Sequence, residues 1–460
     1  MSIATHSITN EERLKILSFT EGHFGDLKAI EITPGKLTRT ISALSNAEGG
    51  EIYIGIAENN VTGERLWKGF FDPEQANAHL QVFETLFPLG DGFSYCFLSS
   101  SVDSGLVLKI DISKNRSVKL ASDGKVYVRR GAQNLSIDDD QGLLRLRRNK
   151  GIISFESETI PVDPENIFNS IVTLEFMIEV VPIAEPNNWL RKQQLIIDNK
   201  PTVAGVVLFS EEPQALLPKR SGLKIYRYQT SNDEGSRDSL AFDPISVEGH
   251  AYKQIYDSVK KAADIIEGVR INTPAGLESV RYPITALHEV ITNAVLHRDY
   301  SIADDIHIRI FDNRVEVLSP GTLPAHITPD NILEERFARN AAIVRLINKF
   351  PNPPNKDVGE GLNTAFDAMR NMKLKPPTIH QNEGFVKVVL RHEPLATPEE
   401  LILEYLQANE KITNRIARQI SYIGSENKMK IILQRMVKNN FIELGPGTTR
   451  YSAAYRLRPS

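Results

Sequence analysis

The sequence is poor in cysteine, has no excess of positive charge, and contains no long apolar run. A single cysteine, Cys96, in 460 residues excludes an internal disulfide and any cysteine-based zinc site. The opening segment MSIATHSITNEERLK has no apolar signal core, and with the lone cysteine it predicts a chain that works in a reducing cytoplasm. No apolar stretch reaches the about 18 residues that a membrane-spanning helix needs, so no membrane partner is expected. Lys and Arg number 54 against 58 Asp and Glu, a net charge of −4, which excludes a globally basic coat for nucleic acid. No G-x4-G-K-[ST] loop occurs anywhere, so helicase-type translocation is not expected.

What is present is ordinary for globular domains: 41% hydrophobic and 24% charged residues, and a length that allows about three domains at roughly 150 residues each. Residues 1–20 read as a short lead-in helix. Leu37, Ile41 and Leu44 follow helical spacing, Gly49-Gly50 stops that helix, and EIYIGIAE (51–58) alternates as a strand. Further strands are expected at 105–112 and 125–130, and RLRRNKG (145–151) reads as a basic hinge. PTVAGVVLF (201–209) and LKIYRYQ (223–229) read as core strands, and 231–239 as a polar loop. A helix is predicted over 249–268. From Pro283 the pattern is helix, hairpin, helix, helix, strand, closing at 385–393; three short helices and a hairpin tipped by Gly445-Pro446-Gly447 follow. The expected boundaries are 1–145, 146–270 (a connecting α/β region), 271–393 and 394–460, an α+β multidomain chain.

Three places carry chemistry. Glu21, Asp26 and Lys28 precede the first long helix, and Glu58 ends the strand after the glycine pair. Carboxylates from separate elements can hold a divalent cation that activates water, or they form a solvated set of surface charges. Glu289 and Asn293 stand at i and i+4 on one helix face, a spacing that suits a water-activating base beside a magnesium ligand. His297 in the same segment reads as a packed or capping histidine. Finally, residues 401–460 hold ten Lys and Arg against four Asp and Glu, a surplus of six that points to a phosphate backbone.

TEGHFGDLKAIE, ISALSNAEGGEIYIGIAE and VYVRRGAQN (126–134), in that order, resemble the Schlafen/AlbA-like domain over about the first 145 residues. The family pattern is E-x4-E-F-K, then A-F-A-N-T-x-G-G, then a strand ending G-V-x-D, with a late Y-x-R-x-G. The resemblance implies nucleic-acid binding, with Lys28, Arg129 and Arg130 near the phosphates. In nuclease members three acids carry metal-dependent RNA cleavage; matched singly they fall on Glu21, Asp26 and Glu58. Asp26 is one methylene shorter than the usual Glu, and Glu58 one longer than the usual Asp.

EVITNAVLHRDY (289–300), IRIFDNRVEVLSPGTLP (308–324) and VGEGL (358–362) resemble the C-terminal domain of helicase-related regulators, a branch of the GHKL (Bergerat) ATPases. That resemblance implies ATP with Mg²⁺ or Mn²⁺: Glu289 as base, Asn293 as metal ligand, Ser319-Pro320-Gly321 at the adenine, and Gly359 and Gly361 beside the phosphates. Ser319 replaces the usual adenine-reading Asp. PTVAGVVLFSEEPQALLP (201–218) resembles the family's linker segment. The tail resembles a winged helix-turn-helix, with Lys428, Lys430, Arg435 and Lys438 on the third helix and Arg450 on the hairpin for the duplex. Together these imply an ATP-binding regulator acting on DNA or RNA, expected as a homo-oligomer. The alternative is a metal-dependent endoribonuclease, in phage defence, gated by the ATPase-like domain; a scaffold with both sites dead is the third.

Overall fold

A computed structural model describes residues 3–59, 63–86, 92–217, 220–273, 276–280, 282–354, 361–382, 384–392, 398–421, 423, 425–445 and 454–458. The chain divides into two compact units, one of residues 1–368 and 377–390, the other of residues 369–376 and 391–460.

The larger unit begins with β1 (Thr5–Ile8), α1 (Asn10–Leu17), β2 (Gly25–Lys28), α2 (Pro34–Ser45), β3 (Gly49–Ile54), β4 (Ile56–Glu58) and β5 (Arg65–Trp67). It continues through α3 (Asn77–Leu86), β6 (Phe93–Ser100), β7 (Leu106–Ser113), β8 (Val126–Arg130), β9 (Gln133–Ile137) and α4 (Asp140–Asn149). A five-stranded sheet runs β1-β6-β7-β3-β2. Leu37, Ile41 and Leu44 of α2 are fully buried and pack with Ile52, Ile54, Leu108 and Ile110, so the helical stripe read from the sequence is the inner face of this layer. The lead-in segment differs from expectation. Its first half is β1, paired in parallel with β6, and the helix starts only after Thr9, which completes a capping box with Glu12. The strand 51–58 is two strands broken at Gly55, whose φ of +119° suits glycine.

Two further readings are corrected. RLRRNKG is not a hinge: its first five residues close α4, and Lys150 is buried with its Nζ donating to the carbonyls of Ser45 and Asn115 (2.5 and 2.9 Å). Residues 203–209 form a helix, capped by Thr202, whose side chain accepts from the Gly205 amide at 3.2 Å. Every residue of that helix is buried, so the run is apolar on all sides and periodicity could not separate helix from strand. Phe209 joins Phe176, Trp189 and Phe350 in an aromatic cluster with ring centroids 4.8–5.9 Å apart.

The second layered region of this unit is a six-stranded sheet. Its order is Ile245–Val247, Leu223–Arg227, Ile306–Ile310, Arg314–Pro320, Phe385–Arg391 and Thr378–Gln381. Leu223–Arg227 and Ile306–Ile310 run parallel, and Ile306–Ile310 turns back antiparallel into Arg314–Pro320. The helices Ala251–Glu267 and Ile284–His297 pack on each other, each burying an apolar face.

The smaller unit contains helices Pro398–Ala408, Asn414–Ile420 and Glu426–Lys438, and a three-stranded antiparallel sheet ordered Ile412–Thr413, Ala454–Leu457, Ile442–Leu444. Ile402, Ile412, Met429, Leu433 and Met436 form its core. The hairpin tip from Pro446 onward, including Arg450, lies outside the described residues. Among the described residues no helix is long and apolar enough to cross a membrane.

Candidate nucleotide and nucleic-acid sites

The helix Ile284–His297 carries Glu289 and Asn293 one turn apart, and the Asn293 Nδ2 donates to Glu289 Oε1 at 2.8 Å. That bond uses the amide nitrogen and leaves the Asn293 carbonyl oxygen as an acceptor. Glu289 is buried, and burial pushes its carboxyl above the usual range, with the Asn293 bond pulling the other way. Asn293, Ser319, Gly321 and Gly361 come from three separated stretches of the chain and line one cavity of about 300 Å³. Glu289 joins them through Asn293. Gly359 lies outside the described residues.

Ser319 Oγ donates to the carbonyl of Ala294 at 2.9 Å, which spends its one proton and leaves lone pairs to accept. Gly321 has φ +108°, and a Cβ there would stand 2.8 Å from the Asp299 Cβ. The loop is therefore seated directly on Asp299, whose amide also donates to the Pro320 carbonyl at 2.8 Å. Arg339 completes the seat, reaching Asp299 Oδ2 at 3.3 Å and the Thr322 carbonyl. Nothing in the sequence marks Arg339 for this task, because its partners are a distant carboxylate and a backbone oxygen. His297 lines the cavity as a partly buried ring; burial, then Arg339, pushes its pKa down to about 4, so it stands neutral. Arg298 is also buried, with its guanidinium donating to the Arg220 carbonyl at 3.1 Å and lying 5.0 Å from the Tyr300 ring centroid. The His-Arg-Asp-Tyr run is thus packing and loop support.

These groups suit an adenine nucleotide. A glycine at positive φ lets backbone approach a ligand, one hydroxyl can accept from an amino group, and one amide oxygen can meet a cation.

The N-terminal acids meet a different setting. Glu21 Oε1 accepts from the Leu27 amide at 2.9 Å. Lys28 Nζ lies 2.7 Å from Asp26 Oδ1 and 3.8 Å from Glu21 Oε1. Arg129, 1% exposed, lies 3.5 Å from Asp26 Oδ2 and donates to the carbonyls of Gly22 (3.0 Å) and Gly25 (3.2 Å) and to Asn134 Oδ1 (2.7 Å). Burial raises Asp26 against the pull of Lys28 and Arg129; Glu21, although partly buried, is held below the usual range by the Leu27 amide, Asp26, Lys28 and Arg65. Glu58 is exposed at the end of β4, opposite Arg65. Among the described residues no group of three or more His, Cys, Asp or Glu is arranged to hold a metal ion. The structure brings Glu21 and Asp26 together and does not bring Glu58 into a cation site with them. An ammonium and a guanidinium stand where a cation would, so the donor set does not fit a metal. Arg129 is corrected as a nucleic-acid contact: it is consumed internally, whereas Arg130 beside it is exposed.

In the smaller unit Lys428, Lys430 and Lys438 project from Glu426–Lys438 as exposed side chains, and Arg435, also exposed, pairs with Glu399.

Residues 21–138 match the family described as Schlafen, AlbA_2, and residues 303–390 match the family described as putative ATP-dependent DNA helicase recG C-terminal. The crystal structure of the DIP2311 protein from Corynebacterium diphtheriae aligns with 95% of this chain and 92% of that one, at 16% identity and a TM-score of 0.41. A likeness at that level has no bearing on function. No curated protein matches the chain. The two matches agree with the N-terminal and central resemblances read from the sequence: the chain has a Schlafen/AlbA-like domain followed by an ATPase-like domain of the kind found at the recG C-terminus.

Proposed function

We propose that this chain is an adenine-nucleotide-binding, nucleic-acid-binding regulator. The observation that carries the reading is the cavity on which Asn293, Ser319, Gly321 and Gly361 converge from three separated stretches. In this reading Ser319 accepts from the base, Gly361, with open space where a side chain would stand, admits the ligand to the backbone, Gly321 lets the loop seat on Asp299, and Asn293 Oδ1 would hold Mg²⁺. A bound magnesium ion would supply charge neutralisation at the phosphoryl oxygens. Glu289, raised by burial, is suited to take a proton.

Nucleic-acid contact is assigned to the N-terminal domain, through the exposed Arg130, and to the tail. The helix order and antiparallel sheet of the smaller unit support a winged helix-turn-helix that offers Lys428 and Lys430 to a duplex. Cleavage through a cation at Glu21, Asp26 and Glu58 is not part of the proposal, because Lys28 and Arg129 already neutralise the buried acid.

Titration calorimetry of the full chain with ATP tests the reading. Binding that strengthens with Mg²⁺ is expected; no heat with millimolar ATP or ADP would leave the domain without a nucleotide role.

A further inference from the structure

The wall of the nucleotide cavity is built largely by the segment from Gly321 to Ala338, including Leu323, Ile327 and Phe337. This segment is fastened by residues of the N-terminal domain and its closing helix. Lys114, the residue after β7, donates from Nζ to the carbonyls of Leu323 (2.8 Å) and Ile327 (3.1 Å). The guanidinium of Arg116 lies 4.3 Å from the Phe337 ring centroid. Asn149, closing α4, accepts from the Ala325 amide at 3.0 Å. Gly151 abuts the Phe337 ring so closely that a Cβ would stand 2.2 Å from it.

The Lys114 side chain is 6% exposed and its Nζ also meets Glu48 Oε2 at 2.7 Å. Glu48 directly precedes Gly49-Gly50, whose backbone pairs with Ser113 and Ile112 of β7. On its other side Gly50 touches the backbone of Phe24: a Cβ on Gly50 would stand 2.3 Å from the Phe24 carbonyl oxygen, which accepts from the Glu51 amide at 2.9 Å. Phe24 lies between Glu21 and Asp26 in the chain. Direct contacts therefore run from the cavity wall through Lys114 and Glu48 to the glycine pair and the acidic loop. A buried ammonium shared by two carbonyls and a carboxylate is costly to leave unpaired, so the wall and the glycine turn are constrained to move together.

We propose that Lys114 couples occupancy of the nucleotide cavity to the conformation of the Gly49-Gly50 turn, and through it to the nucleic-acid face of the N-terminal domain. The coupling rests on the nucleotide reading of the cavity. It is reciprocal: a nucleic acid that favours one setting of the turn changes nucleotide affinity by the same factor.

Hydrogen–deuterium exchange on the full chain, with and without the β,γ-imido analogue of ATP and Mg²⁺, tests it. In the wild type, analogue binding should change exchange of amides 46–54 by about fivefold or more, the low end of common couplings. Lys114→Met keeps the bulk and removes the charge; it should bind the analogue yet confine the change to the cavity segments. Glu48→Gln, which leaves the carbonyl contacts in place, should halve the transmitted change or more, and it carries the test if Lys114→Met does not fold. A wild type silent at 46–54, or a Lys114→Met protein that responds like wild type, overturns the coupling while the cavity reading stands. Absence of analogue binding by calorimetry overturns both.

Discussion

Asp26 and Glu289 are both buried carboxylates raised by burial, but their neighbours differ. Asp26 has an ammonium at 2.7 Å and a guanidinium at 3.5 Å from its own chain. Glu289 has a neutral amide at 2.8 Å, one residue from an open cavity. The first site has settled its charge internally and has no place for a further cation. The second keeps unspent acceptors beside a space large enough for a small ligand.

Arg129→Met breaks the settled site most severely. It strips a buried carboxylate of one partner and takes the Arg129 donor from the Gly22 carbonyl, while the Gly25 carbonyl keeps the Gly22 amide, so a loss of about 3–5 kcal/mol in urea unfolding is expected. Its neighbour Arg130→Ala should leave stability within about 0.5 kcal/mol. A mild Arg129→Met would mean that Lys28 alone balances Asp26.

Asn293→Ala acts on the open site and should weaken Mg²⁺-dependent nucleotide binding by roughly two orders of magnitude, about 2.7 kcal/mol by calorimetry. Glu289→Gln should keep binding within a few-fold while abolishing any hydrolysis. Equal loss of binding in both variants would collapse the division of labour between base and ligand.

Lys150 offers a control of the opposite sign, a buried base with no carboxylate in hydrogen-bond contact. Burial first, then Lys114, pushes its pKa down to about 7. Between about pH 7 and its unfolded pKa near 10.4, the unfolded chain holds the proton that the folded chain has released, so stability rises with pH. The gain is at most about 1.4 kcal/mol per pH unit and should vanish in Lys150→Met. Urea midpoints at pH 7 and 9 measure it; equal pH slopes in both proteins would refute the assignment.

The smallest effect belongs to the tail. Replacing Lys428, Lys430 and Arg435 with Ala should lower the slope of log K against log salt for duplex binding by about one for each phosphate that is no longer neutralised. An unchanged slope would move the tail from nucleic-acid to protein docking.

Much of this was legible in the chain. The α2 stripe, the glycine pair, the helix Ala251–Glu267 and the Glu289–Asn293 turn follow from spacing alone. Residues 203–209 were not, because a run buried on every side has no period to read. The fate of Arg129 was hidden for another reason. Sequence reports a charge but not whether a carboxylate and two carbonyls close around it, and the exposed Arg130 looks the same from that vantage. Arg339 and Lys114 do not stand out in the sequence because their partners are backbone oxygens, which every residue has, and carboxylates distant in the chain.

The bond from Ser319 to the Ala294 carbonyl has a consequence for which base the cavity admits. With its proton committed, the hydroxyl can only receive. On the proposed reading, a purine seated with its 6-position toward this hydroxyl would offer an amino donor if adenine and a carbonyl if guanine, and two acceptors face to face leave both unpaired at a cost of about 1–3 kcal/mol. ATP should therefore outcompete GTP by roughly tenfold to a hundredfold, and Ser319→Ala should narrow that ratio by weakening ATP alone. A single serine in place of the expected aspartate would then keep the cavity's choice of purine while giving up the strength that a full negative charge lends to it.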